Sequence, residues 1–201
     1  MKQFGYIYLA LLVFGCSSNE KPEVEQKQFE MVPASQSGID FKNVVDDLGE
    51  RNIYNTYYIY NGGGVAAGDI DNDGMQDLLF SSNQNGCRLY RNLGNFVFED
   101  ITEAAGINYP KSWTTGVCMT DINADGFVDI HISRSGLASD TARGNLVFIN
   151  NQNGTFSEQS KEIGLHDEGL SNQIYFFDFD GDEDLDAYVI NHPLDFENAY
   201  K

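Results

Sequence analysis

Three segments of the sequence carry acidic or amide side chains at the same four positions, and they are named here loop 1 (69–77), loop 2 (121–129) and loop 3 (178–186). Positions 1, 3, 5 and 9 of the three loops are, in order, Asp69, Asp71, Asp73, Asp77, Asp121, Asn123, Asp125, Asp129, Asp178, Asp180, Asp182 and Asp186. Carboxylates this close repel one another unless a cation lies among them. Hard oxygen ligands around a tight turn are the donors that Ca²⁺ prefers. The spacing therefore predicts three Ca²⁺ sites made of these side chains.

Position 6 of each loop must turn with positive φ, which glycine does without steric cost. Gly74 and Gly126 meet this need, but loop 3 has Glu183 at position 6 and its glycine, Gly181, at position 4. A non-glycine residue in the left-handed region costs about 1–2 kcal/mol. We therefore expect loop 3 to bind metal with a strained backbone and a heavier acidic load. The carbonyls of position 7 are expected to be further ligands: Met75, Phe127 and Asp184.

The residues around the loops indicate strands and argue against an EF-hand. An EF-hand needs a bidentate Glu at position 12 and a helix on each side. Position 12 is apolar in all three copies: Phe80, Ile132 and Val189. The flanking runs are short and rich in β-branched and aromatic residues, which is typical of strands. Each loop is therefore predicted to be a turn between two strands.

The loops begin 52 and 57 residues apart, a period typical of propeller blades. A second pattern, strand then Asn/Gly turn then strand, follows at 89–102 and recurs at 146–158. Together they predict an all-β fold, a partial β-propeller of four-stranded antiparallel blades with calcium-binding turns. We place an outer strand at 29–41, blades at about 57–107 and 112–165, and a partial blade at about 171–201. Propellers have about four to eight blades, so we expect a longer protein, truncated here at its C-terminal end.

The repeated D-x-D-x-D-G-x-x-D pattern resembles the FG-GAP/VCBS repeats of integrin-alpha-like β-propellers, whose turns bind calcium. The lead-in at 61–68 (NGGGVAAG) and the segment at 89–107 (LYRNLG…FEDITEAAGI) are most similar to the ASPIC/UnbV and cartilage acidic protein branch. The resemblance extends from Phe29 to about Asn191. It implies a calcium-loaded propeller.

The N-terminus has the features of an export signal. Lys2 precedes an apolar run from Tyr6 to Phe14 that is too short to span a bilayer, and the run ends in Gly15-Cys16. This ending resembles a bacterial lipobox, so 1–15 are predicted to be a signal peptide and Cys16 to carry lipid, with ordinary secretion as the alternative. The polar residues 16–28 are predicted to form a flexible tether. The expected location is the cell envelope, at the outer membrane or the cell surface.

The net charge, the cysteines, the histidines and the aromatic residues give further expectations about partners and activity. The chain has 12 Lys+Arg against 31 Asp+Glu, a net charge of −19, which disfavours nucleic acid as a partner. Cys87 and Cys118 could pair, or Cys118 could be a buried free thiol. No histidine lies in a nucleophile motif, so we expect no enzyme activity. The aromatic residues are better explained by packing between blades than by a carbohydrate platform, although Trp113 lies in a loop-like setting.

Two functions remain open from the sequence. The first is a surface-anchored, calcium-binding propeller module that binds an extracellular protein or glycan, its calcium being structural. The second is the non-catalytic propeller part of a larger secreted enzyme whose active domain lies beyond residue 201.

Overall fold

The structure is a computed structural model that describes residues 28–55, 58–107, 109, 112–136 and 142–193. The chain divides into two compact units, Met1–Met31 and Val32–Lys201. Only residues 28–31 of the first unit are described, and Phe29 and Met31 are exposed there. The predicted signal peptide, the lipid-bearing Cys16 and the tether up to residue 27 lie outside the described residues and stay predictions.

The described residues of the second unit contain ten strands in three antiparallel sheets. The first sheet contains β1 (Val65–Gly68), β2 (Asp77–Ser82), β3 (Gly86–Asn92) and β4 (Phe98–Asp100). The second contains β5 (Thr114–Thr120), β6 (Asp129–Arg134), β7 (Leu146–Asn150) and β8 (Phe156–Glu158). The third contains β9 (Leu170–Phe177) and β10 (Asp186–His192). Neighbours in each sheet are neighbours in sequence, so the predicted order of strand, loop, strand, linker, strand, turn, strand is confirmed for the first two sheets.

The register is the same at all three acidic loops. The residue before each loop pairs with the residue at position 9: Gly68 with Asp77, Thr120 with Asp129, and Phe177 with Asp186. Each loop therefore closes a hairpin between directly opposed residues. This places position 9 on the first residue of a strand and positions 1 to 8 in the turn.

The main hydrophobic core lies between the first and second sheets. Alternate residues of a strand face opposite sides, so Leu79 and Leu89 of the first sheet meet Ile130, Ile132 and Phe148 of the second. Strand β9 of the third sheet packs against β5 and β6. The approach of β9 to β5 is so close that a Cβ on Gly116 would lie 1.6 Å from Gln173 Oε1, which explains the glycine.

The predicted outer strand at 29–41 is wrong, because none of these residues lies in a strand. Ala34–Ser37 form a short helix (α1) that starts after Pro33 and ends at Gly38, where φ is 75°. Proline at the start and a left-handed glycine at the end favour a helical turn over an extended edge. The segment then packs on the first sheet, where the Phe41 ring stacks on Phe80 with 5.1 Å between centroids.

Within the part of the chain that the structure describes, no helix is long and apolar enough to cross a membrane.

Candidate metal centre

The three acidic loops share one pattern of hydrogen bonds that shapes the turn around the carboxylate at position 1. Asp69 of loop 1 accepts hydrogen bonds from the backbone N–H groups of Asp73 (3.1 Å) and Gly74 (2.8 Å). Asp121 of loop 2 and Asp178 of loop 3 accept the same two bonds from positions 5 and 6. The position-1 carboxylate is therefore the centre around which each turn is wound.

Position 5 closes the second half of the turn. The Oδ1 atoms of Asp73, Asp125 and Asp182 accept hydrogen bonds from the backbone N–H of position 7, at 2.8, 2.9 and 3.0 Å. These three side chains are exposed. The second carboxylate oxygen of Asp125 accepts hydrogen bonds from Nδ2 of Asn123 (3.1 Å) and Nε2 of Gln152 (3.3 Å).

Position 9 has a double role in loops 1 and 2. Asp77 accepts hydrogen bonds from the N–H groups of Ile70 (2.9 Å) and Asn92 (2.7 Å), and it is 1% exposed. Asp129 accepts the equivalent bonds from Ile122 (2.9 Å) and Asn150 (2.8 Å), and it is fully buried. These carboxylates therefore tie the loop to the third strand of the same sheet.

Loop 3 lacks the second of these ties among the described residues. Asp186 accepts a bond from the N–H of Phe179 at 2.8 Å, and its side chain is exposed.

Because burial disfavours a charged group, the pKa values of the Asp77 and Asp129 carboxyls are raised. The pKa of Asp125 is lowered instead, chiefly by the hydrogen bond from the Phe127 N–H.

The backbone of each loop turns with positive φ at position 4 as well as at position 6. At position 4, φ is 58° for Asn72, 57° for Ala124 and 79° for Gly181. At position 6 it is 88° and 87° for the glycines of loops 1 and 2, and 74° for Glu183. The left-handed Glu183 predicted from the sequence is confirmed, whereas the same requirement at position 4 was missed.

The predicted ligands are brought together to different degrees. In loop 1, carboxylate oxygens of Asp69, Asp71 and Asp77 lie within 4.8 Å of one another, while Asp73 is outside this group. In loop 3 the group is formed by the first three predicted ligands, at positions 1, 3 and 5, without Asp186.

Loop 2 differs from the other two because position 3 is an amide. Asn123 donates from Nδ2 to Asp125 Oδ2 at 3.1 Å and accepts from the Asp125 N–H at 3.1 Å. Among the described residues, the acids of loop 2 form no group of three within 4.8 Å. The donors gathered in loops 1 and 3 are carboxylate oxygens, and such a set fits a hard cation of the Ca²⁺ kind.

The three histidines lie in three different settings. His131 on β6 is fully buried with no hydrogen-bond partner for either ring nitrogen among the described residues, and burial lowers its pKa to about 3. His166 Nδ1 lies 3.0 Å from the hydroxyl of Ser160, which is itself fully buried. The ring of His192 stacks on Tyr58 at 4.3 Å.

Both described cysteines are free, so Cys87 and Cys118 do not form the disulfide that the sequence left open. Cys87 is buried and accepts a hydrogen bond from the Tyr109 hydroxyl at 2.9 Å, and burial raises the pKa of its thiol to about 12. A thiol with that pKa stays protonated at neutral pH and is a poor nucleophile.

A small cavity of about 190 Å³ lies at the ends of β1, β5 and β9 that are opposite to the loops. Three groups of residues line it, one from each sheet or the segment before it: Tyr58, Asn61, Gly62, Gly63 and Gly64; Trp113, Thr115 and Gly116; and Asn172, Gln173 and His192. Trp113 is 2% exposed, and the guanidinium of Arg51 lies 5.7 Å from its ring. Trp113 is therefore a packed residue at the wall of a cavity.

Comparison with known proteins agrees with this architecture. Residues 69–132 and 136–189, more than half of the chain, match the FG-GAP-like repeat. The first match contains loops 1 and 2 completely, and the second contains loop 3. The match begins at position 1 of loop 1.

Three curated relatives are the cartilage acidic protein 1 of mouse, of the frog Xenopus tropicalis and of human. Their identities to this chain are 40% over 70 residues, 36% over 98 residues and 40% over 73 residues. The aligned parts cover 34%, 48% and 35% of this chain, but only 11%, 14% and 11% of the relatives' own length. The chain belongs to the FG-GAP-like repeat family, in the branch of the cartilage acidic proteins, and its sheets are blades of the β-propeller type.

Proposed function

We propose that the chain is the propeller module of an exported protein, anchored through lipid on Cys16, which binds Ca²⁺ in its three loops and an extracellular protein or glycan on its surface. The observation that carries the proposal is the gathering of carboxylate oxygens in loops 1 and 3 within 4.8 Å. Uncompensated, these charges destabilise the turn, and a divalent cation would offset them.

The proposed role of the metal is structural. The loops are continuous with the paired strands of each blade, so a bound ion would hold both strands of a hairpin in register. A ligand at a hundred times its dissociation constant stabilises the folded state by about 2.7 kcal/mol. Three sites of that strength would approach the whole stability of a domain, about 5–15 kcal/mol, which accounts for the motif without a catalytic step.

The cavity opposite to the loops supports the binding part of the proposal. It combines aromatic side chains with the amides of Asn61, Asn172 and Gln173, and the described residues that line it include no carboxylate. In a chain with a net charge of −19, this is a neutral patch. Aromatic and amide groups of this kind suit a protein segment or a sugar better than a cation.

Thermal unfolding in EDTA, Ca²⁺ and Mg²⁺ tests the metal part. We expect Ca²⁺ to raise the midpoint clearly above that in EDTA, and Mg²⁺ to raise it little, because a flexible set of carboxylates suits the larger ion. Asp73→Ala and Asp125→Ala should each remove one bound metal per chain in elemental analysis. Equal midpoints in all three solutions would contradict calcium binding.

The anchor and the ligand can be tested separately. Labelled palmitate in a bacterial host should mark the wild-type protein and not the Cys16→Ser variant; a soluble, unlabelled wild type would contradict the anchor. For the ligand, Trp113 is the only tryptophan of the chain, so its fluorescence reports on the cavity. A panel of oligosaccharides and extracellular matrix proteins should include one that changes this emission in the wild type and less in Gln173→Ala.

A further inference from the structure

Each blade described in full ends its third strand with an asparagine that holds the acidic loop of the same blade. The backbone N–H of Asn92 donates to Asp77, and its Nδ2 donates to the carbonyl of Gln76 at 2.9 Å. Asn150 repeats both contacts in the second blade, to Asp129 and, at 3.1 Å, to the carbonyl of Val128. Both asparagines therefore contact positions 8 and 9 of their own loop.

Within the described residues, Asn150 has one contact that Asn92 lacks. Its Nδ2 also donates to the carbonyl of Ile70, at 2.9 Å, and Ile70 is position 2 of loop 1 in the preceding blade. The amide is buried, and its two hydrogens are both used, one for each loop. A buried amide whose donors are both satisfied has a fixed orientation, because releasing either carbonyl would leave a buried polar group unpaired.

These bonds form a continuous path between the position-9 carboxylates of two neighbouring loops. Asp77 accepts from the N–H of Ile70, the Ile70 carbonyl accepts from Asn150 Nδ2, and the Asn150 N–H donates to Asp129. Ile70 itself lies between the predicted ligands at positions 1 and 3 of loop 1. A shift of Asp129 therefore reaches the backbone that carries the ligands of loop 1.

A second link joins the same two loops at the surface. Nδ2 of Asn72, at position 4 of loop 1, donates to the carbonyl of Gly126, at position 6 of loop 2, at 3.1 Å. Loop 2 has Ala124 at position 4, whose methyl group cannot donate. Among the described residues, no hydrogen bond joins loop 2 to loop 3.

We infer that loops 1 and 2 bind Ca²⁺ cooperatively through Asn150 and Asn72, whereas loop 3 binds independently of them. The inference rests on the proposed function. Asn150 already joins Asp129 to the Ile70 carbonyl, so a more ordered Asp129 in a filled loop 2 would also order the backbone between the ligands of loop 1. Coupling between two sites is reciprocal, so each loop must favour the other by the same factor.

The test is a calcium titration of the full chain followed by ¹H–¹⁵N NMR. The amides of Gly74 and Gly126 each donate to the position-1 carboxylate of one loop, so they report the two sites separately. Disabling loop 2 with Asp125→Ala should weaken binding at loop 1 about fivefold or more, and disabling loop 1 with Asp73→Ala should weaken loop 2 by the same factor.

Matched variants assign the coupling to its residues. In Asn150→Ala, the factor by which one loop changes the Ca²⁺ affinity of the other should fall below about twofold. Asn92→Ala, which loses only contacts within loop 1 and its own hairpin, should keep the original factor. Asn72→Gly, which keeps the positive φ and leaves the core untouched, should reduce it in part. If loop 1 binds Ca²⁺ equally well with and without a functional loop 2, the inference is overturned but the proposed function is not. Full coupling in an Asn72→Gly/Asn150→Ala double variant would have the same consequence. If neither glycine amide responds to Ca²⁺, the proposed function falls as well.

Discussion

The backbone strain of each acidic loop is carried by a single residue that is not glycine. Positions 4 and 6 both have positive φ. Loops 1 and 2 place glycine at position 6 and accept Asn72 or Ala124 at position 4, while loop 3 does the reverse with Gly181 and Glu183. The glycine of loop 3 has therefore moved from one left-handed position to the other, and the strain of this loop is similar to that of loop 2.

Replacing the strained residue by glycine tests this view. Glu183→Gly should remove the cost of a left-handed non-glycine residue, about 1–2 kcal/mol. Glycine also gives the unfolded chain more conformational freedom, which offsets about 0.5–1 kcal/mol of this gain in stability. We expect a small rise in the midpoint of thermal unfolding in EDTA. Ala124→Gly is the control, since it makes the same backbone change in loop 2 without altering charge. If Glu183→Gly lowers the midpoint while Ala124→Gly raises it, the Glu183 side chain stabilises loop 3 by contacts of its own.

His131 is a buried polar side chain at a position where the first blade has an apolar one. It pairs with Cys118 across the β5–β6 ladder, as Leu79 pairs with Ala66 across β1–β2. Its ring meets Phe176 of the third sheet at 6.1 Å. An unpaired buried polar group costs about 1–3 kcal/mol, so the imidazole is a local weakness at the contact between the second and third sheets.

His131→Leu should therefore raise the free energy of unfolding by about 1 kcal/mol or more, because leucine fills a similar volume without unpaired nitrogens. Urea unfolding of the two proteins measures the difference. Leu79→His, the reverse change at the equivalent position of the first blade, should destabilise the chain. A loss of stability in His131→Leu would mean that the ring nitrogens are paired in solution.

At the scale of the strand pair, the carboxylates at positions 5 and 9 of loop 2 have different roles: position 9 supports the fold, and position 5 is available mainly for metal binding. Asp129 is buried and holds two backbone N–H groups, one in the loop and one at the end of β7. Asp125 is exposed and lies in the turn. Removing the Asp129 carboxylate leaves the buried N–H of Asn150 and the part-buried N–H of Ile122 without an acceptor, whereas water can replace the exposed Asp125 carboxylate.

In EDTA, Asp129→Ala should lower the free energy of unfolding by about 2–4 kcal/mol, because one buried and one part-buried N–H lose their acceptor. Asp125→Ala should change it by less than about 0.5 kcal/mol, as is usual for surface substitutions. Denaturant unfolding without metal measures both. Asp186→Ala, which removes an exposed position-9 carboxylate that accepts one N–H bond, should lower the free energy of unfolding by an amount between those of the other two variants. Equal costs for the variants at positions 129 and 125 would show that position 9 acts only through metal.

The strands around the loops could be predicted from the sequence because each element repeats with its own turn signal. The D-x-D/N-x-D pattern and the Asn/Gly turns determine where the hairpins close. The short apolar runs between these turns are then strands that pair with one another in a sheet. The tie from Asp77 to Asn92 could not be predicted, since nothing in a nine-residue pattern shows that its last carboxylate is buried. The failure at 29–41 has a similar cause: Phe29-Glu30-Met31 copies a strand of a blade, but Pro33 and Gly38 decide the local structure.

At the scale of the whole molecule, the three sheets are not equally covered. The side of the second sheet that faces the first contributes to the main core. The far side of the third sheet is exposed: Tyr175 is 53%, Phe177 44%, Tyr188 61% and Ile190 40% exposed. Tyr175 and Tyr188 are directly opposed across β9 and β10, so the four side chains share one face. Among the described strands, β10 has β9 as its single neighbour and offers an open edge.

An apolar face beside an open strand edge favours association. We therefore expect the purified 201-residue chain to oligomerise or aggregate, with a mass that rises with concentration in light scattering. Tyr188→Lys, which places a charge in the middle of this face, should lower the association. Leu48→Lys is the control, because it adds the same charge at an exposed residue outside the sheets, 83% exposed, and should change nothing. A stable, compact monomer of the unmodified chain at all concentrations would contradict the prediction and would require another segment of the chain to cover Tyr175 and Tyr188 in solution.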